Sequence, residues 1–206
     1  GNTMLLRKPC KFIAVIGSRN ISDYASRVGT RLAHILADKE FVIVGGLAVG
    51  SDTCGHKGAM ETGYTLAVMP CGLDMVVPSE NTGLFLQMID NGSLAISEYP
   101  VGHAPTKASY VERDRLQAGI ADGLIALETS EDGGTMHAVR KAVELRRPIG
   151  CLPPDIVEQP GNQMLIDQYG AVAINTQDDI DAFVRSLPKR EHSVKGSILV
   201  EQSKLF

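Results

Sequence analysis

Phe12-Ile13-Ala14-Val15-Ile16-Gly17-Ser18-Arg19 and Phe41-Val42-Ile43-Val44-Gly45-Gly46-Leu47-Ala48-Val49-Gly50-Ser51-Asp52 decide the fold. Each is an apolar run that stops at glycine and passes directly into a helix-like stretch. A buried parallel strand followed this closely by a helix leaves N–H groups at the positive end of the helix dipole, which suits an anion, most often a phosphate. Glycine lets backbone and ligand approach without a Cβ between them. Two such turns in tandem suggest a nucleotide or nucleic-acid site.

The alternation continues outward from these turns. Tyr24, Val28, Leu32 and Leu36 recur at helical spacing, which predicts a helix over about 22–38 with Ser22 as N-cap. Further helices are expected near 52–62, 81–91 and 109–121, and from Gly133-Gly134-Thr135 to about 146. Further strands are expected at 65–69, 94–98, 124–128 and 148–152, with a last helix–strand–helix unit over about 162–187. Nearly all-apolar strands separated by helices mean an α/β fold: a doubly wound, mostly parallel sheet with helices on both faces, Rossmann-like. Ligands of such sheets bind at the carboxyl ends of the strands. Residues 1–187 read as one nucleic-acid- or nucleotide-binding domain, and 188–206 as a tail, with Ile198-Leu199-Val200 as an added edge strand or an interaction segment.

Composition narrows the classes. The 206 residues are 44% hydrophobic with a formal net charge of −4, so phosphate binding requires a local basic patch rather than a basic coat. Trp is absent and aromatics make up 5%, which leaves few stacking platforms for bases. No apolar run approaches the roughly 20 residues of a membrane span, and Gly1–Lys11 has no signal-peptide core ahead of its charges. A cytoplasmic protein is expected. Cys10, Cys54, Cys71 and Cys151 lie far apart without metal-ligand spacing, so neither a metal nor a disulfide scaffold is expected, and no cofactor is called for.

The loops taken in order resemble those of the DNA-processing protein A (DprA/Smf) family, within a wider group of Rossmann-like nucleotide-binding proteins that includes the cytokinin-activating phosphoribohydrolases. The stretches are Val15–Arg19; Gly45–Asp52 with His56-Lys57-Gly58-Ala59-Met60; Leu66–Asp74; Ser97-Glu98-Tyr99-Pro100; Tyr110–Arg115; and Gly133-Gly134-Thr135 before Arg146-Arg147-Pro148. The similarity runs from about residue 12 to 175. It implies a binding protein rather than an enzyme: one that takes single-stranded DNA, loads a RecA-type recombinase during uptake and recombination of foreign DNA, and forms a homodimer. Three departures stand out. Val49 replaces a family Arg expected on phosphate, Arg113-Asp114-Arg115 replaces Arg-Asn-Arg, and the aromatic-Pro pair is Tyr110-Val111. The family's flanking helical domain and C-terminal winged helix are not expected within these residues.

The residues expected on phosphate or DNA are Gly17, Ser18, Arg19, Gly45, Gly46, Gly50, Ser51, Lys107, Arg113, Arg115, Gly133, Gly134 and Thr135. Arg19 is either a phosphate clamp or the partner of a carboxylate such as Glu98. Arg113 and Arg115, two apart on a helix, point to opposite faces, so both serve one ligand only if the helix begins between them. Ser51 and Asp52 read as N-cap and first-turn residue of the second helix, or Asp52 as acceptor of a ribose hydroxyl. The alternative function is a small-nucleotide sensor or an N-glycosidic hydrolase. For that chemistry Glu98 and Glu128, ending strands that read as neighbours, would be the carboxylate pair. Against it, Gly133-Gly134-Thr135 continues as Met136-His137-Ala138-Val139, without the Glu of the phosphoribohydrolase motif.

Overall fold

Among the residues described by the computed structural model (1–7, 10–157 and 159–188), seven strands lie side by side, all parallel. They are β1 (Lys11–Ile16), β2 (Phe41–Gly45), β3 (Thr65–Met69), β4 (Leu94–Ser97), β5 (Gly123–Ala126), β6 (Ile149–Cys151) and β7 (Val172–Ala173). Their order is β4-β3-β2-β1-β5-β6-β7, so the chain winds outward from β1 to β4, then crosses back to place β5 on the other side of β1. Register pairs Ile13 with Ile43 on one side of β1 and with Gly123 on the other.

Helices connect the strands: α1 (Asp23–Asp38), α2 (Ser51–Met60), α3 (Thr82–Asp90), α4 (Lys107–Ile120), α5 (Thr135–Glu144), the single turn α6 (Pro154–Val157), α7 (Pro160–Tyr169) and α8 (Gln177–Ser186). Side chains alternate across a strand, and the two faces of β1 show the consequence. Ile13 and Val15 join Leu32 and Leu36 of α1 and Phe183 of α8 in one core. Phe12, Ala14 and Ile16 join Ala118 of α4, Val139 of α5 and Leu165 of α7 in the other. Both faces are therefore covered, as near-continuous apolar strands require.

The predicted elements are present, with bounds moved by a few residues. α4 begins at Lys107, two residues earlier than expected, because Thr106 and Ser109 form a reciprocal cap. Ser22 caps α1 as expected, its Oγ accepting from Ala25 N–H at 3.1 Å. The expected strand at 198–200 lies outside the described residues. No described helix is long and apolar enough to cross a membrane.

Two expectations fail on geometry. Glu98 and Glu128 follow β4 and β5, which are separated by β3, β2 and β1, so they do not form a carboxylate pair. Strand order, set by the crossover, is what sequence proximity could not supply. Ser51 is not the N-cap of α2 either: Gly50 is, with φ +80, and a Cβ there would stand 2.5 Å from the carbonyl oxygens of Ser18 and Arg19.

Candidate nucleic-acid interface

The chain reverses its winding between β1 and β5, and at their carboxyl ends a cleft of about 500 Å³ opens. Open α/β sheets bind ligands at such a switch point. The turn after β1, the loop after β5, α4 and the start of α5 form its walls.

The turn after β1 is held from both sides. Ser18 N–H donates to Glu128 O at 2.6 Å, and Ser51 N–H and Oγ both donate to Ser18 O at 3.1 Å. A Cβ on Gly17 would meet Ser51 Oγ at 2.5 Å and Glu128 O at 2.7 Å, so only glycine lets this turn pass. Glu128 itself is 1% exposed. Its carboxylate accepts from Ser22 N–H at 2.9 Å and Ser22 Oγ at 2.5 Å, which fixes the start of α1. A group so enclosed anchors the helix rather than reaching a substrate.

The turn after β2 is closed by its own hydrogen bonds. Asp52 Oδ2 accepts from Gly46 N–H at 2.7 Å and Ala48 N–H at 3.2 Å. His56 Nε2 takes Leu47 N–H at 3.3 Å, and Asn81 Nδ2 donates to Leu47 O at 2.7 Å. Leu47 has φ +61, a conformation that costs a non-glycine residue about 1–2 kcal/mol and needs this many anchors. With Nε2 accepting, His56 carries its proton on Nδ1 and donates to Thr65 Oγ1 at 2.6 Å, which donates to Ile43 O at 2.7 Å. Burial, helped by the nearby Arg113 charge, lowers the His56 pKa to about 3 and keeps the ring neutral. The N–H groups at 46–48 therefore have protein partners, which corrects the reading of this turn as a second phosphate cradle.

Arg113 fills the space beneath that turn. It is 5% exposed, and its Nη1 donates to Gly46 O at 2.6 Å and Val68 O at 2.9 Å. A Cβ on Gly46 would stand 1.6 Å from Nη1, so this glycine makes room for a guanidinium. Arg113 Nε donates to Asp114 Oδ1 at 3.0 Å. Burial raises the Asp114 pKa to about 6 against the opposing pull of Arg113. Burial also raises Asp52, again against Arg113.

The loop after β5 is different. Gly134 caps α5 without any side-chain bond, and among the described residues the N–H groups of Gly134 and Thr135 have no protein acceptor. Both residues line the cleft, and no described residue stands within 4 Å of where a Cβ on Gly134 would lie. Asn162, fully buried, positions the loop: Oδ1 accepts from Thr129 N–H, and Nδ2 donates to Leu127 O and Leu152 O, each at 2.9 Å. Sequence reasoning missed Asn162, since one asparagine without a motif carries no signal.

The cleft thus brings together Gly17, Ser18, Arg19, Arg113, Gly133, Gly134 and Thr135. Gly46 lines a smaller hollow of about 200 Å³ that shares Arg19, Ala48 and Tyr110 with the cleft. Gly45, Gly50 and Ser51 line neither hollow. Lys107 and Arg115 do not line the cleft. Arg115 sits on the opposite side of α4 from Arg113, as the spacing of two requires, and pairs with Glu98. Arg19 is exposed and lies 5.4 Å from the Tyr110 ring centroid rather than on a carboxylate. Tyr110 lines both hollows.

The geometry has close relatives among known proteins. DNA processing protein A from Helicobacter pylori, solved for its single-stranded DNA binding mode, matches with a TM-score of 0.83 at 30% identity, covering 91% of this chain and 86% of that one. The DprA structure from Streptococcus pneumoniae matches with a TM-score of 0.78 at 33% identity, covering 88% of this chain and 64% of that one. Among curated sequences, Protein Smf of Synechocystis is 32% identical over 91% of this chain and 47% of its own length. DprA of Streptococcus pneumoniae is 33% identical over 89% of this chain and 64% of its own length. The chain therefore spans about half to two thirds of these curated relatives. A molybdenum cofactor carrier protein from Chlamydomonas reinhardtii shares the fold alone, with a TM-score of 0.59 at 19% identity over 86% of this chain and 98% of that one. The family model for DNA recombination-mediator protein A matches residues 1–185, and with these relatives it shows that the chain belongs to that family.

Proposed function

We propose that the protein binds single-stranded DNA along the cleft at the β1–β5 switch point. The observation that carries this reading is the open start of α5, where Gly134 and Thr135 N–H groups without acceptors among the described residues share a cleft with the exposed Arg19. Helix N-termini and an arginine suit phosphate, and Tyr110, with Arg19 at 5.4 Å and Arg113 at 5.9 Å from its ring centroid, adds an aromatic ring to the same wall. The Helicobacter pylori relative, described for single-stranded DNA binding, supports the same ligand. In this reading residues 1–187 form the binding unit and 188–206 a tail. The protein works in the cytoplasm as a homodimer, passing strands to a RecA-type recombinase during DNA uptake and recombination.

Fluorescence anisotropy with a labelled single-stranded oligonucleotide, at two salt concentrations and with duplex and mononucleotides as competitors, tests it. Binding should weaken with salt and yield only to single strands. Arg19→Ala should weaken binding about tenfold, the loss of one charge-assisted contact of roughly 1.4 kcal/mol, and lower the salt slope by about 0.7. Absence of binding, or displacement by a mononucleotide, overturns the reading.

A further inference from the structure

Among the described residues the cleft is not a basic groove: its formally charged lining residues are Arg19 and Arg113 on one side of the balance, and Asp52 and Asp114 on the other. Arg113 is already committed to two carbonyls and to Asp114. That leaves Arg19 to face a strand carrying one negative charge per nucleotide. Asp114 is the carboxylate nearer solvent: its side chain is 15% exposed, and Oδ2 has no protein partner among the described residues. It lines the same cleft as the open start of α5.

Resting on the strand-binding reading above, we propose that Asp114 is the cleft residue that makes phosphate entry depend on pH. A phosphodiester enters the cleft as the Asp114 carboxylate takes up one proton from solvent, so strand binding is proton-coupled. The ionised carboxylate repels a phosphate at the α5 start. The protonated acid removes that repulsion, leaves Arg19 and Arg113 facing Asp52 alone, and turns an acceptor into an O–H donor for a phosphate oxygen. The charged and titratable groups around it come from each packed element. Arg113 on α4 and His137 on α5 favour the carboxylate, Asp52 on α2 disfavours it, and Arg19 across the cleft acts on Asp52. Burial already places Asp114 at about 6, and a phosphate bound beside it holds the proton on through the neutral range, as uptake of one full proton requires.

The experiment is a series of anisotropy titrations with a labelled oligothymidine from about pH 5 to about pH 8 at fixed ionic strength, on the full chain and on Asp114→Asn. For the native protein, affinity should fall about tenfold per pH unit above about pH 6, the slope of one proton taken up. Asp114→Asn should bind like the native protein at the acid end, lose most of that slope and bind more tightly at the alkaline end. His137→Gln should keep the slope, which separates Asp114 from the exposed histidine beside it. Independently of any variant, calorimetry of the native protein near neutral pH in two buffers of different ionisation enthalpy should report about one proton taken up per strand bound. Binding by both proteins with equal slopes, or no proton uptake, overturns this inference and leaves the strand-binding reading standing. No binding by either protein at any pH overturns both.

Discussion

The turn after β2 and the turn before α5 look alike in sequence, each a Gly-Gly pair leading into a helix, yet they are opposites in structure. At Gly45-Gly46 the missing Cβ accommodates Arg113, and the neighbouring N–H groups are closed by Asp52 and His56. At Gly133-Gly134 the start of the helix stays open to the cleft. A glycine pair after a strand thus signals a close approach without saying what approaches. In one turn it is the protein's own cation, and in the other there is room for an external anion.

The largest effect should come from removing what fills the first turn. Arg113→Met leaves Asp52 and Asp114 buried without their cation and strips Gly46 O and Val68 O of their donor. Breaking a buried charge network from one side costs about 3–5 kcal/mol, and urea denaturation should show a loss of that size. Gly46→Ala should fall in the same range, because its Cβ lies 1.6 Å from Nη1 and the guanidinium is fixed by two carbonyls. A loss under about 1 kcal/mol in both would mean that the turn is not built around this arginine.

His56 beside that turn and Asp114 on α4, both close to Arg113, give the protein two opposed pH dependences. His56 titrates near 6.5 when unfolded and at about 3 when folded, so between those values the unfolded chain holds the extra proton and stability falls with acid. Over the full window that is up to about 5 kcal/mol. Asp114 is raised from 3.8 to about 6, so the folded chain holds the extra proton there and stability falls as pH rises through 6. The two partly cancel between about pH 4 and 6. Asp114→Asn should uncover the His56 slope: a steeper acid loss, and a gain at pH 7 of up to about 3 kcal/mol over the native protein. Denaturant midpoints of the two proteins across this range check both signs, and parallel curves would show that Asp114 does not titrate as its burial implies.

What the sequence made legible follows from what repeats locally. Near-continuous apolar strands and period-3.6 helices were readable from Phe12 to Leu187 because each element's apolar residues are written within its own stretch. Two kinds of feature were not. Strand order depends on where α4 crosses, so Glu98 and Glu128 read as neighbours although three strands part them. Long-range polar ties were equally hidden. Asp52 reaches back to Gly46 and Ala48, Asn162 of α7 ties together the loops after β5 and β6, and Glu128 holds the Ser22 cap of α1 across 106 residues of chain. The last tie has its own test. Glu128→Ala deprives the Ser22 N–H and hydroxyl of their acceptor and should cost about 1–3 kcal/mol by denaturation, the penalty for leaving buried polar groups unmatched.

The smallest effect on stability should come from Gly134→Ala, and it carries the comparison furthest. The residue has φ −55 and ψ −30, a conformation any residue adopts, and open space around its missing Cβ. Folding stability should change by no more than about 0.5 kcal/mol, with a slight gain expected because alanine restricts the unfolded chain. The new methyl group would nevertheless stand in the cleft, beside the N–H groups proposed to hold phosphate. Strand affinity should therefore drop while the denaturation midpoint stays, the reverse of Gly46→Ala, where stability is lost first. If Gly134→Ala binds oligonucleotide as well as the native protein, the strand does not approach the start of α5, and Arg19 with the smaller hollow beside Tyr110 becomes the place where contact begins.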